Sequence, residues 1–183
     1  MATVFIENKK ESLRKLADDI SSRESWWLFP SEGPIQGFMG RGPVFIVGDQ
    51  PSQSEWPPQH PCRRAFYDTL QQVGLTKAHL TDLYKKRGEP SALKHGLPTD
   101  FPEHLNLFRH EIEILKPKLI VALGELAQRL LIQNLPEWDI PIPRIWHFSH
   151  VIRTDKESQY EDHIRDIVPG SFLIPKINPH PAS

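Results

Sequence analysis

The sequence contains one cysteine, Cys62, in 183 residues. A lone thiol forms no internal disulfide, and by itself it holds neither a four-thiolate zinc site nor an iron–sulfur cluster. No apolar run approaches the roughly 20 residues that span a bilayer. The start, Met1-Ala2-Thr3 and then a mixed amphipathic stretch, lacks the basic residues and apolar run of a secretory signal. The expectation is a protein of the cytoplasm, or of the nucleus in a eukaryote, with no membrane partner. No internal repeat or low-complexity tract is visible, and no Gly-rich run with Lys-Ser/Thr or three spaced glycines marks a phosphate or dinucleotide loop. The Gly-x-Ser-x-Gly elbow of a serine hydrolase is missing as well.

An excess of either charge is also lacking. With 22 basic and 23 acidic side chains the formal net charge is −1, so the total does not announce a nucleic-acid partner, whose phosphates call for a basic face. The distribution says more. Arg63-Arg64, Lys85-Lys86-Arg87 and Arg153 lie near candidate strand ends, which fits either a local basic mouth or ordinary solvated surface. Hydrophobic residues at 38% and charged residues at 25% describe a globular chain. Its length suits one compact domain over 1–183, with an irregular Pro-containing tail from about 168.

What is present is an alternation of apolar runs and helical periodicity. Leu13, Leu16, Ala17 and Ile20 predict a helix over 8–20, followed by a loop rich in Trp, Gly and Pro from Trp26 to Pro43. Val44-Phe45-Ile46-Val47 reads as a buried strand ended by Gly48. Phe66, Leu70 and Val73 predict a helix over 64–73, stopped by Gly74. Leu80 to Leu83 is a weaker strand, and Lys85 to Pro102 reads as a long surface loop. A helix carrying Leu105, Phe108, Ile112 and Leu115 then ends before Pro117. Leu119 to Leu123 is the clearest strand, Gly124 opens another helix, Arg144-Ile145-Trp146 makes a short fourth strand, and 155–167 suits a last helix. This order implies a three-layer α/β/α sandwich around a mainly parallel sheet of about four strands.

Polar residues stand just beyond those strands, where an open parallel sheet keeps its ligand site. Asp49 and Gln50, before Pro51, fit a carboxylate that orients water or stabilises a cation, and equally fit a turn. His147 suits a donor to a developing anion or a capping histidine. With His150 it makes too thin a metal site, and no metal or other cofactor is expected. Phe66 and Tyr67 open a helix beside the first loop, either as an aromatic face for stacking a base or, for Phe66, as the first core position.

Taken in order, these segments resemble the uracil-DNA glycosylase superfamily, in particular its class that carries an iron–sulfur cluster. In that class a strand ends in Gly-Glu-x-Pro-Gly, and a Gly-Arg-Pro-Phe segment opens the next helix. Thr-Asn and a Lys-containing run follow, then an apolar strand ending in Leu-Gly, and His-Pro-Ser with a downstream Leu-Arg. Here the corresponding stretches are Gly48-Asp49-Gln50-Pro51-Ser52, Arg63-Arg64-Ala65-Phe66, Thr81-Asp82 with Lys85-Lys86, Leu119 to Ala127, and His147-Phe148-Ser149 with Ile152-Arg153. The likeness covers about 44–153.

The resemblance implies a DNA glycosylase acting on a base flipped from damaged or single-stranded DNA; the lone Cys62 makes it a cluster-free relative, and a monomer is expected. Asp49 and His147 would be its catalytic pair, with Gln50, Phe66 and Asp82 binding the base. Arg64, Lys85, Ser149 and Arg153 would meet phosphates. The departures matter equally. Cys62 alone cannot hold the cluster, Gln50 replaces an acid of another branch, Phe148 replaces the usual Pro, and Asp82 stands where the uracil-reading Asn is expected. An ionised Asp82 offers acceptors only, which suits adjacent donors such as the N1–H and N2–H2 of guanine better than uracil; a protonated one restores a donor. These substitutions leave room for a member that binds nucleic acid or a nucleobase without turnover, and the scaffold also admits a small-molecule hydrolase.

Overall fold

Val44–Gly48 is buried along its whole length and forms the inner strand β1. Its side chains alternate between two separate cores, Val44 and Ile46 entering one and Phe45 and Val47 the other. A strand apolar on both faces needs a layer over each. The computed structural model describes residues 2–88 and 92–176. In it β1 pairs with β2 (His79–Asp82) on one side and β3 (Leu119–Leu123) on the other, and β4 (Arg144–Ile145) follows β3. All pairings are parallel, in the order β2-β1-β3-β4.

The helices are α1 (Ala2–Ser21), α2 (Pro61–Val73), α3 (Ala92–His95), α4 (Phe101–Leu115), α5 (Gly124–Asn134), α6 (Phe148–Arg153) and α7 (Glu157–Ile167). One core joins the sheet to α1, α4 and α5 through Leu13, Phe108 and Leu131. The opposite core joins it to α2, α6 and α7 through Leu70, Val151 and Tyr160. The result is the expected three-layer sandwich. Each fully buried side chain of this size contributes roughly 1.5–3 kcal/mol, so the layering follows from the strand composition.

Two turns aim the sheet at its site. Gly124 takes φ +85 directly after β3, letting α5 leave without a loop. The helix α2 begins at Pro61, with His60 Nδ1 accepting from the Cys62 N–H, and closes on Gly74 at φ +84.

Several boundaries differ from the sequence reading. The second strand starts at His79 because the parallel register sets His79 opposite Phe45. The segment expected as a loop from Lys85 to Pro102 holds α3 and the start of α4, and its residues 89–91 lie outside the described ones. The polar run His147–His150 is largely the first turn of α6. The tail has a short 3-10 turn at Gly170–Phe172, and 177–183 lie outside the described residues. Among the described residues no helix is long and apolar enough to cross a membrane.

Candidate functional site

The carboxyl ends of all four strands open onto one cavity of about 760 Å³. Asp49 to Ser54 enter it after β1, Asp82 from the end of β2, Leu123 and Gly124 from β3, and His147 to Ser149 after β4. The helix α2 adds Arg63, Phe66 and Tyr67, and α6 adds Arg153. Seven of the residues expected at the site therefore meet there: Asp49, Gln50, Phe66, Asp82, His147, Ser149 and Arg153. Arg64 is exposed on α2 and does not line the cavity.

Asp82 sits opposite Gly48 in the register and is only 4% exposed. A Cβ on Gly48 would stand 2.1 Å from Asp82 Oδ1, so the carboxyl rests on the glycine backbone and needs that absent side chain. The ladder also runs past the strand ends. Leu83 N–H donates to the Gly48 carbonyl and Tyr84 N–H to the Asp49 carbonyl, each at 2.9 Å, which locks the two acidic positions side by side. Burial, and then the neighbouring Asp49, push the Asp82 carboxyl well above its usual range; Lys85 and Arg87 oppose this, and Glu111 adds to it. Asp82 is thereby favoured as the neutral acid, which donates as well as accepts.

His147 is the N-cap of α6. Its Nδ1 accepts from the Ser149 N–H at 3.2 Å and lies 2.8 Å from Ser149 Oγ. Accepting at Nδ1 places the proton of the neutral ring on Nε2, which becomes the donor this wall can present. Burial, with Arg153 and His150 nearby, lowers its pKa to about 4, so the ring is neutral at ordinary pH.

Phe66 is 1% exposed, and its ring does not stand alone. Phe148 packs on it at 4.9 Å and on His147 at 4.2 Å, with Trp56 against the edge of Phe148. Phe148 thus forms an aromatic bridge between Phe66 and His147. Sequence reasoning missed Trp27 and Phe29 at the cavity; the loop before β1 brings them beside Tyr67, one of the two aromatics expected on α2, whose hydroxyl donates to the Pro30 carbonyl at 2.8 Å. It also missed Arg129, while Arg63, read in the sequence only as part of the Arg63-Arg64 basic pair, is held at the cavity by Glu32 at 2.6 Å. The Trp26-Trp27 pair in a Pro-rich loop was the available signal.

Lys85 requires a correction. Expected at the phosphates, it is fully buried, with Nζ 2.8 Å from Glu111 Oε1, donating to Thr81 Oγ1 at 2.9 Å and to the Asp82 carbonyl at 2.5 Å. Glu111 also meets His79 Nε2 at 3.0 Å, and both are fully buried. Burial alone would raise the Glu111 carboxyl, yet Lys85 and His79 outweigh it and hold it below its ordinary value. Lys85 therefore supports the end of β2 from beneath. Among the described residues no three of His, Cys, Asp and Glu converge to hold a metal ion.

Fold and site together define an open parallel-sheet protein whose strand-end cavity combines aromatic rings, a buried acid and a neutral histidine. The description of the Uracil DNA glycosylase superfamily matches residues 38–182, and the chain belongs to that superfamily. Membership supports a DNA glycosylase-like function in general. No protein among the curated sequences matches the chain.

Proposed function

We propose that the protein is a DNA N-glycosylase that accepts a flipped, altered base and hydrolyses its bond to deoxyribose. The observation that carries this reading is the meeting of Asp49, Asp82 and His147 at one cavity beside aromatic rings. Bond cleavage leaves negative charge on the departing base and an oxocarbenium-like sugar. The His147 Nε2–H suits the first, donating toward a base carbonyl, and Asp49 suits the second, stabilising the cation or orienting water. Phe66 and Phe148 would hold the ring plane, while Gln50 and Asp82 meet its edge. Arg153, Ser149 and Arg64 would face phosphates; Lys85 is withdrawn from that role.

Asp82 then sets which edge is read. As a neutral acid it donates and accepts, matching a carbonyl beside a ring N–H, as in uracil or hypoxanthine. Ionised, it matches only adjacent donors. Because its folded pKa is raised, the neutral form prevails below that value and is lost as pH rises through it. Base release from uracil- or hypoxanthine-containing oligonucleotides should therefore fall as pH rises through that value. Asp82→Asn, donor and acceptor at every pH, should flatten that limb. The mismatch of about 1–3 kcal/mol predicts a drop of roughly 5- to 150-fold. Alkali cleavage after timed incubation across pH measures it, and superimposable profiles would remove Asp82 from base reading.

A second reading has one observation behind it. Phe148 lies against both Phe66 and His147, which narrows the stacking space in the manner of a protein that holds a base without turnover. Thermal stabilisation by nucleobases or DNA, with no abasic product, would favour it.

A further inference from the structure

The backbone of Trp146, the residue before His147, is held on both sides by one helix. The Trp146 N–H donates to Nε2 of His163 at 3.1 Å, and the Trp146 carbonyl accepts from the Tyr160 hydroxyl at 2.8 Å. Both partners lie on one face of α7, a turn apart. Tyr160 is fully buried, and the His163 ring stacks on the Trp146 indole at 3.8 Å and 7°. Lys156 Nζ lies 4.6 Å from the same indole.

This clamp falls where the sheet is weakest. The strand β4 is 2 residues long, so its own ladder ends at Ile145, just short of the clamped residue Trp146. The Trp146 N–H and the Trp146 carbonyl belong to successive peptide planes, so holding both fixes the residue from which the His147 backbone turns into α6. We infer that Tyr160 and His163 are positioning residues for His147, holding its ring so that Nδ1 stays on Ser149 and Nε2 stays turned to the cavity. This rests on the reading of His147 as the donor to the base.

The device is sensitive to acid. His163 accepts at Nε2 only while that nitrogen is unprotonated; as an imidazolium it presents N–H to the Trp146 N–H and the bond is lost. The charged and titratable groups facing it are Lys156 and Asp166 about its own helix, Arg144 from β4, and His150 from α6 across Trp146. Burial lowers its pKa below 6.5; Asp166 opposes this, and Lys156 and Arg144 add to it. A depressed folded pKa means that the clamp is intact above the unfolded value and fails as pH falls through the folded one.

The test compares wild type with His163→Gln, His163→Phe and Tyr160→Phe. Imidazole nitrogen and Trp146 amide resonances are followed by NMR across pH, alongside single-turnover base release. In wild type the Trp146 amide and the His147 ring should shift together as His163 titrates. His163→Gln keeps an acceptor that does not titrate, so down to about pH 4, where His147 itself titrates, its Nε2–H form should persist and the acid step should vanish. His163→Phe and Tyr160→Phe should scramble the His147 tautomer and slow release roughly ten- to a hundredfold. A His147 spectrum unchanged in Tyr160→Phe, or an acid step retained in His163→Gln above about pH 4, where His147 itself is still neutral, would overturn the clamp. If the spectra behave as expected and no variant or wild type releases a base, the clamp stands and the glycosylase reading falls.

Discussion

Lys85→Met should lower the unfolding free energy by roughly 3–5 kcal/mol, the usual cost of removing one partner of a buried ion pair. The variant fills a similar volume, so lost packing is not the cause. It leaves the Glu111 carboxylate fully buried with only the His79 Nε2 contact at 3.0 Å beside it among the described ion-pair partners, and it deprives Thr81 Oγ1 and the Asp82 carbonyl of a donor. Urea denaturation should show a lower midpoint with the slope unchanged. The double change Lys85→Met with Glu111→Leu should recover much of the loss, because two apolar groups replace the pair without stranding a charge.

The acid side gives a second readout of the same pair. Glu111 has a depressed folded pKa, so its contribution is present above the unfolded value of 4.5 and is lost as pH falls through the folded one. In Lys85→Met that acid-dependent component should shrink, since burial then raises the carboxyl. A single variant within about 1 kcal/mol of wild type would mean that Lys85 does not carry the buried charge described.

His147→Ala should reduce base release by roughly 10²–10³-fold, the loss found when one preorganised donor to a developing anion is removed. The same change removes the cap of α6, which costs about 1 kcal/mol, so the variant should still fold. Since wild-type His147 is neutral down to about pH 4, its protonation should produce no step in the rate between ordinary acid and alkaline pH. Single-turnover release measured with near-UV circular dichroism on the same samples separates chemistry from folding. A loss smaller than about fivefold would exclude His147 as the main anion stabiliser.

The strands were legible because Val44–Val47 and Leu119–Leu123 are apolar on both faces, a pattern few other elements share. Their order β2-β1-β3-β4 was not, because pairing between distant segments leaves no local trace. Asp49, Asp82 and His147 could be picked out for a physical reason: each directly follows or ends a strand, and parallel strands collect such residues on one side. Lys85 misled because a lysine inside Lys85-Lys86-Arg87 reads as solvated surface, while the acid that draws it inward lies on α4. Trp27 and Phe29 reach the cavity only through the path of the loop before β1, held by Tyr67. The helix α6 escaped notice because it is 6 residues long and capped by a histidine in place of the commoner Ser, Thr, Asp or Asn.

The central claim concerns base release, and free base is its most direct product. Purified protein incubated with single- and double-stranded oligonucleotides carrying uracil, hypoxanthine or xanthine, followed by mass spectrometry of the released base, tests it. The account predicts at least one free base with an equal yield of abasic sites, both reduced in His147→Ala. No released base from any substrate, or release undiminished in that variant, would contradict it.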